Sequence, residues 1–118
     1  MDYMIKGSTQ QFRFVLPRPL EDVSVVWIVF WQERYDGPAI DRKLPIIKSK
    51  EHCSPTNTPN EFTVILNQEE TLRFTEDRMA YVQARAVTVD GLSYASKKRE
   101  VVVYPVYGNN ILNDSIKV

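Results

Sequence analysis

The run from Val23 to Trp31 constrains the fold most, because both of its alternating sets of side chains are apolar. One set contains Val23, Val25, Trp27, Val29 and Trp31, and the other contains Val26, Ile28 and Phe30. β-Branched and aromatic residues favour a strand, and a strand with one wet face would alternate with polar residues past Ser24. The second face of this strand therefore needs a cover, which is either another part of the chain or another protein.

Two further segments have apolar side chains at every second position, which is typical of strands that bury one face. These side chains are Phe12, Phe14 and Leu16 in one segment and Phe62, Val64 and Leu66 in the other. A short strand is predicted from Ile40 to Ile47, and Pro45 indicates a sheet edge or a bulge there. A turn at Tyr35–Pro38 is predicted to connect it to the Val23 strand.

A hairpin and a short helix complete the pattern. Strands are predicted from Met79 to Val89 and from Leu92 to Tyr104, joined by a type I′ turn at Asp90-Gly91. A helix is predicted near residues 67–75, because Asn67 can cap it and Glu70 can reach back to the cap. The pattern predicts an all-β fold, namely an antiparallel immunoglobulin-like β-sandwich of about seven strands with this one helix.

Composition excludes several classes of protein. The 118 residues suit a single domain, 1–118, with a short C-terminal tail at 108–118. Lys plus Arg and Asp plus Glu number 15 each, so no net charge attracts nucleic acid. The single cysteine and single histidine exclude a disulfide framework and a two-histidine zinc site. No signal peptide and no membrane-length apolar run are recognised, so we expect no secretion by signal peptide and no membrane partner.

The side chains that could act in catalysis or bind a metal are explained more simply by structural roles. His52 and Cys53 are adjacent, and neighbours on an extended chain point to opposite sides, so they do not form a nucleophile pair. Glu69 and Glu70 suit a helix start better than an acid pair across a cleft. The basic run at 97–99 is interpreted as a solvated or edge-protecting charge cluster. We therefore predict no catalytic, cofactor-binding or metal-binding residues, no cofactor, and no enzymatic activity.

Four segments of the chain carry recognisable motifs: the Phe-x-Phe-x-Leu-Pro strand within Gly7–Pro17, the Leu66–Phe74 motif, the Val82–Ala86 strand and the Leu112–Asp114 tail. Together they resemble a family of small uncharacterised phage and prophage proteins from Gram-positive, Clostridia-like bacteria. The resemblance spans nearly the whole chain and implies an immunoglobulin-like β-sandwich component of a phage particle. It implies the host cytoplasm or the virion as location, and it transfers no catalytic or binding residue.

These observations lead to two hypotheses about function. The first is a non-enzymatic structural or accessory protein that associates with copies of itself or with other phage structural proteins. Its candidate interface is Trp27, Val29 and Trp31, with Val26, Ile28 and Phe30 expected on the core side. The alternative is a soluble carbohydrate- or peptide-binding module that uses exposed tryptophan and tyrosine side chains. The first predicts a flat apolar face or an unpaired edge strand. The second predicts a concave groove with aromatic residues flanked by Asp, Asn or Gln.

Overall fold

The computed structural model of the protein describes residues 2–32, 44–76 and 78–106. The strands within these residues are β1 (Asp2–Ile5), β2 (Gln10–Val15), β3 (Val23–Gln32), β4 (Ile46–Ser49), β5 (Cys53–Pro55), β6 (Glu61–Leu66), β7 (Ala80–Thr88), β8 (Ser93–Ala95) and β9 (Arg99–Tyr104). One α-helix, α1, spans Gln68–Leu72, and 3₁₀ turns span Leu20–Asp22 and Lys50–His52. The predicted turn at Tyr35–Pro38 and the C-terminal tail lie outside the described residues.

The strands form two sheets in a sandwich-like arrangement. The larger sheet has the order β1-β9-β7-β3-β4, with β8 also paired to β7, and the smaller sheet has the order β2-β6-β5. The rings of Phe12 and Phe30 meet between the sheets at 5.2 Å, and Phe14 stacks on Phe62. These buried side chains come from alternating positions, so the prediction of a β-rich fold with two sheets and one short helix is confirmed.

The prediction of a purely antiparallel fold is wrong at one edge. β1 pairs with β9 in parallel, with Tyr3 opposite Val102 and Met4 opposite Val103. Met4 and Val103 are buried, so this edge strand contributes to the core. Parallel pairing joins segments far apart in the chain, and local alternation carries no signal for it. The described residues contain nine strands rather than about seven, because β1 and β5 had no local signature and the return strand is divided.

The hairpin after β7 differs in detail from the predicted turn. The Gly91 N–H donates to the Thr88 carbonyl at 3.0 Å, so Val89 and Asp90 occupy the centre of the turn and Gly91 follows in a left-handed conformation with φ 87°. This is a three-residue connection instead of a type I′ turn. The returning segment is then interrupted at 96–98, where the pairing with β7 shifts by one residue between β8 and β9. The prediction of a single strand from Leu92 to Tyr104 is therefore wrong.

Strand β3 lies in the interior of the larger sheet, between β7 and the edge strand β4, and contains an irregularity that the sequence pattern concealed. Its pairing with β7 shifts between Val23 and Val25, next to Ser24. This bulge turns Val23 into the core, so Val23 does not share a face with Trp27 as its position in the run suggested. Beyond the bulge, Val26, Ile28 and Phe30 are all buried, which confirms the predicted core side of the strand.

The helix after β6 begins as predicted. The Asn67 side chain accepts the Glu70 N–H at 2.8 Å, and the Glu70 carboxylate accepts the Asn67 N–H at 2.9 Å, so both orphan donors are satisfied. One turn later, the fully buried Thr71 hydroxyl accepts the Gly7 N–H at 3.0 Å. Gly7 has φ 79°, and this bond fixes the turn between β1 and β2 against the helix.

Candidate functional site

The side of the larger sheet that faces away from the smaller sheet is largely apolar. We call it the outer face, and we define it by the strand residues whose side chains alternate with the buried set. These are Tyr3, Ile5, Val25, Trp27, Val29, Trp31, Ile47, Ser49, Tyr81, Gln83, Arg85, Val87, Ser93, Ala95, Glu100, Val102 and Tyr104. Several of its large apolar side chains are about half exposed, which is unusual for a contiguous surface of a small domain.

The three candidate interface residues lie together on the outer face. Trp27 is 49% exposed and pairs across the strands with Arg85 and Ser49. Val29 is half-buried between its neighbours on β4 and β7. The half-buried ring of Trp31 lies 5.6 Å from the ring of Tyr81. The structure thus places all three on one surface, and their participation in an interface stays a prediction.

A second aromatic group at the β1–β9 edge extends this surface. Tyr3 and Tyr104 meet edge to face at 6.0 Å, and they are 59% and 49% exposed. Ile5 lies opposite Tyr104 in the parallel register. Sequence reasoning missed these residues because only the pairing of the first and last described strands places them on the same sheet face as the tryptophans. The one signal in the sequence was the presence of a tyrosine in each of these two strands, Tyr3 in β1 and Tyr104 in β9.

Few charged side chains interrupt the outer face. Arg85 lies directly across from Trp27, and Glu100 lies directly across from Tyr81. The Lys98 ammonium group is 4.2 Å from the centre of the Tyr81 ring, a distance that suits a cation–π contact. The face therefore carries opposite charges at separate places within a mainly apolar surface.

A shallow groove of about 220 Å³ opens beside Trp27. Its lining is mostly apolar and comes from β3, β7 and β8, with Val25, Trp27, Arg85, Val87 and Tyr94 among its residues. Sites for small ligands are typically about 300–1,000 Å³, so this groove is small for one. The groove is a shallow depression within the outer face.

His52 and Cys53 form no nucleophile pair. The His52 Nδ1 accepts the Ser49 N–H at 3.1 Å and so caps the 3₁₀ turn. The Cys53 thiol donates to the Ser49 carbonyl at 3.5 Å. Burial raises the pKa of Cys53 to about 11, with the Lys50 charge acting in the opposite direction, so the thiol is protonated at neutral pH.

The acidic residues at the helix have structural partners. Arg73 donates to both carboxylate oxygens of Glu69, one turn away on the helix. Glu70 closes the capping box and also pairs with Lys48. No group of three or more His, Cys, Asp or Glu side chains that could hold a metal ion occurs among residues 2–32, 44–76 and 78–106.

The interpretation of residues 97–99 as a solvated cluster is wrong for Arg99. Its guanidinium group donates to both carboxylate oxygens of Asp2, at 3.0 and 2.8 Å, and to the Arg13 carbonyl at 2.7 Å. The same group lies 4.7 Å from the centre of the Phe14 ring. Arg99 thus connects β9 to β1 and to the smaller sheet, a role that depends on long-range contacts.

The comparisons with known proteins assign no family. No family model matches the chain, and no curated protein sequence matches it. Among the helices in the described part of the chain, none has the length and apolar character needed to span a membrane.

Proposed function

We propose that this protein is a non-enzymatic structural or accessory component of a phage or prophage, acting by protein–protein association through the outer face. One observation carries the proposal: large apolar side chains, both tryptophans among them, share a single sheet face outside the core. Interfaces are enriched in aromatic residues, and leaving such side chains in water is unfavourable. The phage context, the virion or host-cytoplasm location and the immunoglobulin-like family rest on the sequence resemblance.

The two tryptophans allow a direct test of the outer face. They are the only tryptophans of the chain, so the intrinsic emission reports on this surface alone. At nanomolar concentration, where a weak assembly dissociates, we expect acrylamide to quench the emission efficiently. Poor quenching of a monomer would mean that the chain covers its own face, and the association proposal would then be abandoned.

A matched pair of isoleucines provides the control for association. Ile47 is 49% exposed on the outer face, and Ile65 is 45% exposed on β6 of the smaller sheet. Ile47→Ser is expected to weaken any complex that this protein forms, whereas Ile65→Ser is expected to leave it unchanged. Equal effects of the two substitutions in sedimentation or light scattering would count against the outer face as the binding surface.

The genomic neighbourhood tests the context independently of the surface. Genes for capsid, tail or DNA-packaging proteins on either side of the coding sequence are the expected result. A neighbourhood of metabolic genes only would contradict the phage assignment while leaving association through the outer face intact.

The groove beside Trp27 favours a second candidate, a small carbohydrate- or peptide-binding module. The Trp27 indole would supply stacking to a ligand, and the Val25 and Val87 side chains would supply apolar contact. A saturable change in tryptophan emission with a panel of oligosaccharides or short peptides would support this function. The small volume of the groove makes it the weaker of the two candidates.

A further inference from the structure

We propose that the partner on the outer face is a protein segment that inserts one apolar side chain into the groove beside Trp27 and places a carboxylate against Arg85, an inference that rests on the proposed association function. The observations behind it are the size of the groove, its apolar lining and the charged side chain in its wall. Together they define a pair of neighbouring residues that a partner presents.

The groove has the size of one amino-acid side chain. Its volume is about 220 Å³, and a cavity of about 150 Å³ in a protein core holds a benzene molecule. A single ring or a branched aliphatic group therefore fits the groove, whereas sites for free ligands are typically about 300–1,000 Å³. A pocket of this size suits an anchor residue of a larger partner, and anchors of this kind supply much of the affinity of protein interfaces.

Two rows of cross-strand neighbours form the groove. Val25 and Val87 lie opposite each other in one row, and Ser93 continues that row on β8. Trp27 and Arg85 form the next row, about 7 Å away along the strands. The first row has short side chains and the second has long ones, so an apolar residue that enters the groove contacts valine methyl groups and one indole.

Arg85 is the only charged residue among the described residues that line the groove. Its side chain is exposed, and within the described part of the chain it makes no ion pair or hydrogen bond. A guanidinium group donates two parallel hydrogen bonds to a carboxylate, so an acidic residue of the partner is the matching group. This residue lies within about two positions of the anchor, because that spacing spans the roughly 7 Å between the two rows.

The other charges around the outer face lie away from the groove. Glu100 and the Lys98 ammonium group both lie beside Tyr81. Tyr81 is four residues from Arg85 along β7, a distance of about 13 Å. Glu51 follows β4, which is two strands from β7 in the sheet. Because Lys98 and Glu100 have opposite charges at one place, Arg85 determines the charge that a partner meets at the groove.

The lining also favours a peptide over a sugar. Sugar hydroxyl groups that lose contact with water need hydrogen-bond partners, and side-chain carboxylates and amides commonly supply them. None of the described residues that line the groove is Asp, Glu, Asn or Gln. An apolar anchor with one adjacent carboxylate needs no such partners beyond Arg85.

Selection of binding peptides tests the proposal. The probe is a random peptide library displayed in many copies per particle, because multivalent display retains weak binders. On the wild-type protein, we expect enrichment of sequences in which Leu, Met or Phe lies within two residues of Asp or Glu. Arg85→Glu should replace the acidic residue of this motif by Lys or Arg, and Trp27→Ala should remove the apolar preference. Arg13→Glu, on the exposed side of β2, changes the net charge equally and should leave the motif unchanged.

A synthetic peptide with the enriched motif measures the ion pair directly. Fluorescence anisotropy should show binding weakened about threefold or more by Arg85→Gln, a modest factor because the pair is exposed. The peptide with Asn or Gln in place of its acidic residue should lose as much on the wild-type protein and nothing further on Arg85→Gln. Independent, additive losses would show that the acidic residue does not contact Arg85, and would overturn the inference.

The outcomes separate this inference from the association function. No enriched motif, a motif without an acidic residue, or a motif that Arg85→Glu leaves unchanged would overturn the inference. Efficient tryptophan quenching of the monomer, together with a complex that Ile47→Ser weakens, would in those cases leave association through the outer face standing. If Arg85→Glu misfolds by circular dichroism, Arg85→Gln replaces it in the selection, and the motif should then lose its acidic residue without gaining a basic one.

Discussion

Lys48 and Glu70 form an ion pair of 2.7 Å that joins the β4 edge of the larger sheet to helix α1. Both side chains are only 12% exposed. The other carboxylate oxygen of Glu70 accepts the Asn67 N–H, so one side chain both begins the helix and attaches it to the sheet. A local capping motif thereby becomes a long-range contact between two parts of the fold.

Removing one member of this pair should destabilise the protein more than removing both. Glu70→Gln keeps a capping acceptor but leaves the largely buried Lys48 ammonium group without its partner, so we expect a loss of about 1–3 kcal/mol. Lys48→Met in the Glu70→Gln background should recover part of that loss. Urea unfolding of the four proteins in this double-mutant cycle is the measurement, and additive losses would mean that the pair contributes no coupling.

The hairpin after β7 depends on the backbone conformation of Gly91. An added Cβ would meet no atom within 4 Å, so a substitution here costs conformational energy without a steric clash. Gly91→Val is expected to lower the free energy of unfolding by about 1–2 kcal/mol, the scale of a branched residue forced to positive φ. Gly91→Asn should lose less, because asparagine tolerates this region. Equal denaturant midpoints for wild type and Gly91→Val would contradict the assigned turn.

The sequence predicted what is encoded locally. The Asn67–Glu70 cap, the glycine of the hairpin and the core side of β3 all follow from neighbouring residues. The bulge at Ser24 could not be predicted in this way. In a run of apolar residues, a shift that moves side chains from one face of the strand to the other leaves no change in the sequence pattern. The parallel edge formed by β1 also escaped prediction, since no local pattern relates residues near position 3 to residues near position 102. As a result, the part of the outer face that Tyr3 and Ile5 form became visible only in the structure.

The Cys53 thiol should react slowly with alkylating agents at neutral pH. A pKa of about 11, compared with about 9 for an ordinary thiol, reduces the thiolate fraction at pH 8 by about a hundredfold. Because burial raises the pKa, the alkylation rate should keep increasing up to about pH 11 instead of levelling off near pH 9. The rate of iodoacetamide modification against pH, compared with the urea-unfolded chain, is the measurement. A plateau near pH 9 in the folded protein would contradict the burial of this thiol.

Cys53→Ser addresses the assignment of the thiol as structural. The sulfur packs at the margin of the core, so we expect a loss of less than about 1.5 kcal/mol and unchanged association. Thermal unfolding and sedimentation of this variant provide the check. Loss of a measured activity on this substitution would overturn the prediction that the protein is not an enzyme.

Arg99 is the residue on which the β1 edge most depends, and its substitution connects stability to the outer face. Arg99→Lys retains the charge but loses the two-point contact with Asp2 and the stacking on Phe14. Because the Arg99 and Asp2 side chains are about one third exposed, we expect a global loss of only about 1–2 kcal/mol. Hydrogen exchange should accelerate at the β1 amides before it does so in β3, since a four-residue edge strand can open locally.

Release of β1 would remove Tyr3 and Ile5 from the outer face, so association should weaken together with the protection of the β1 amides from exchange. Lys97→Ala, at an exposed neighbouring position, is the matched control and should change neither measurement. Uniform acceleration across the larger sheet in Arg99→Lys would show instead that Arg99 supports the whole fold and not the edge.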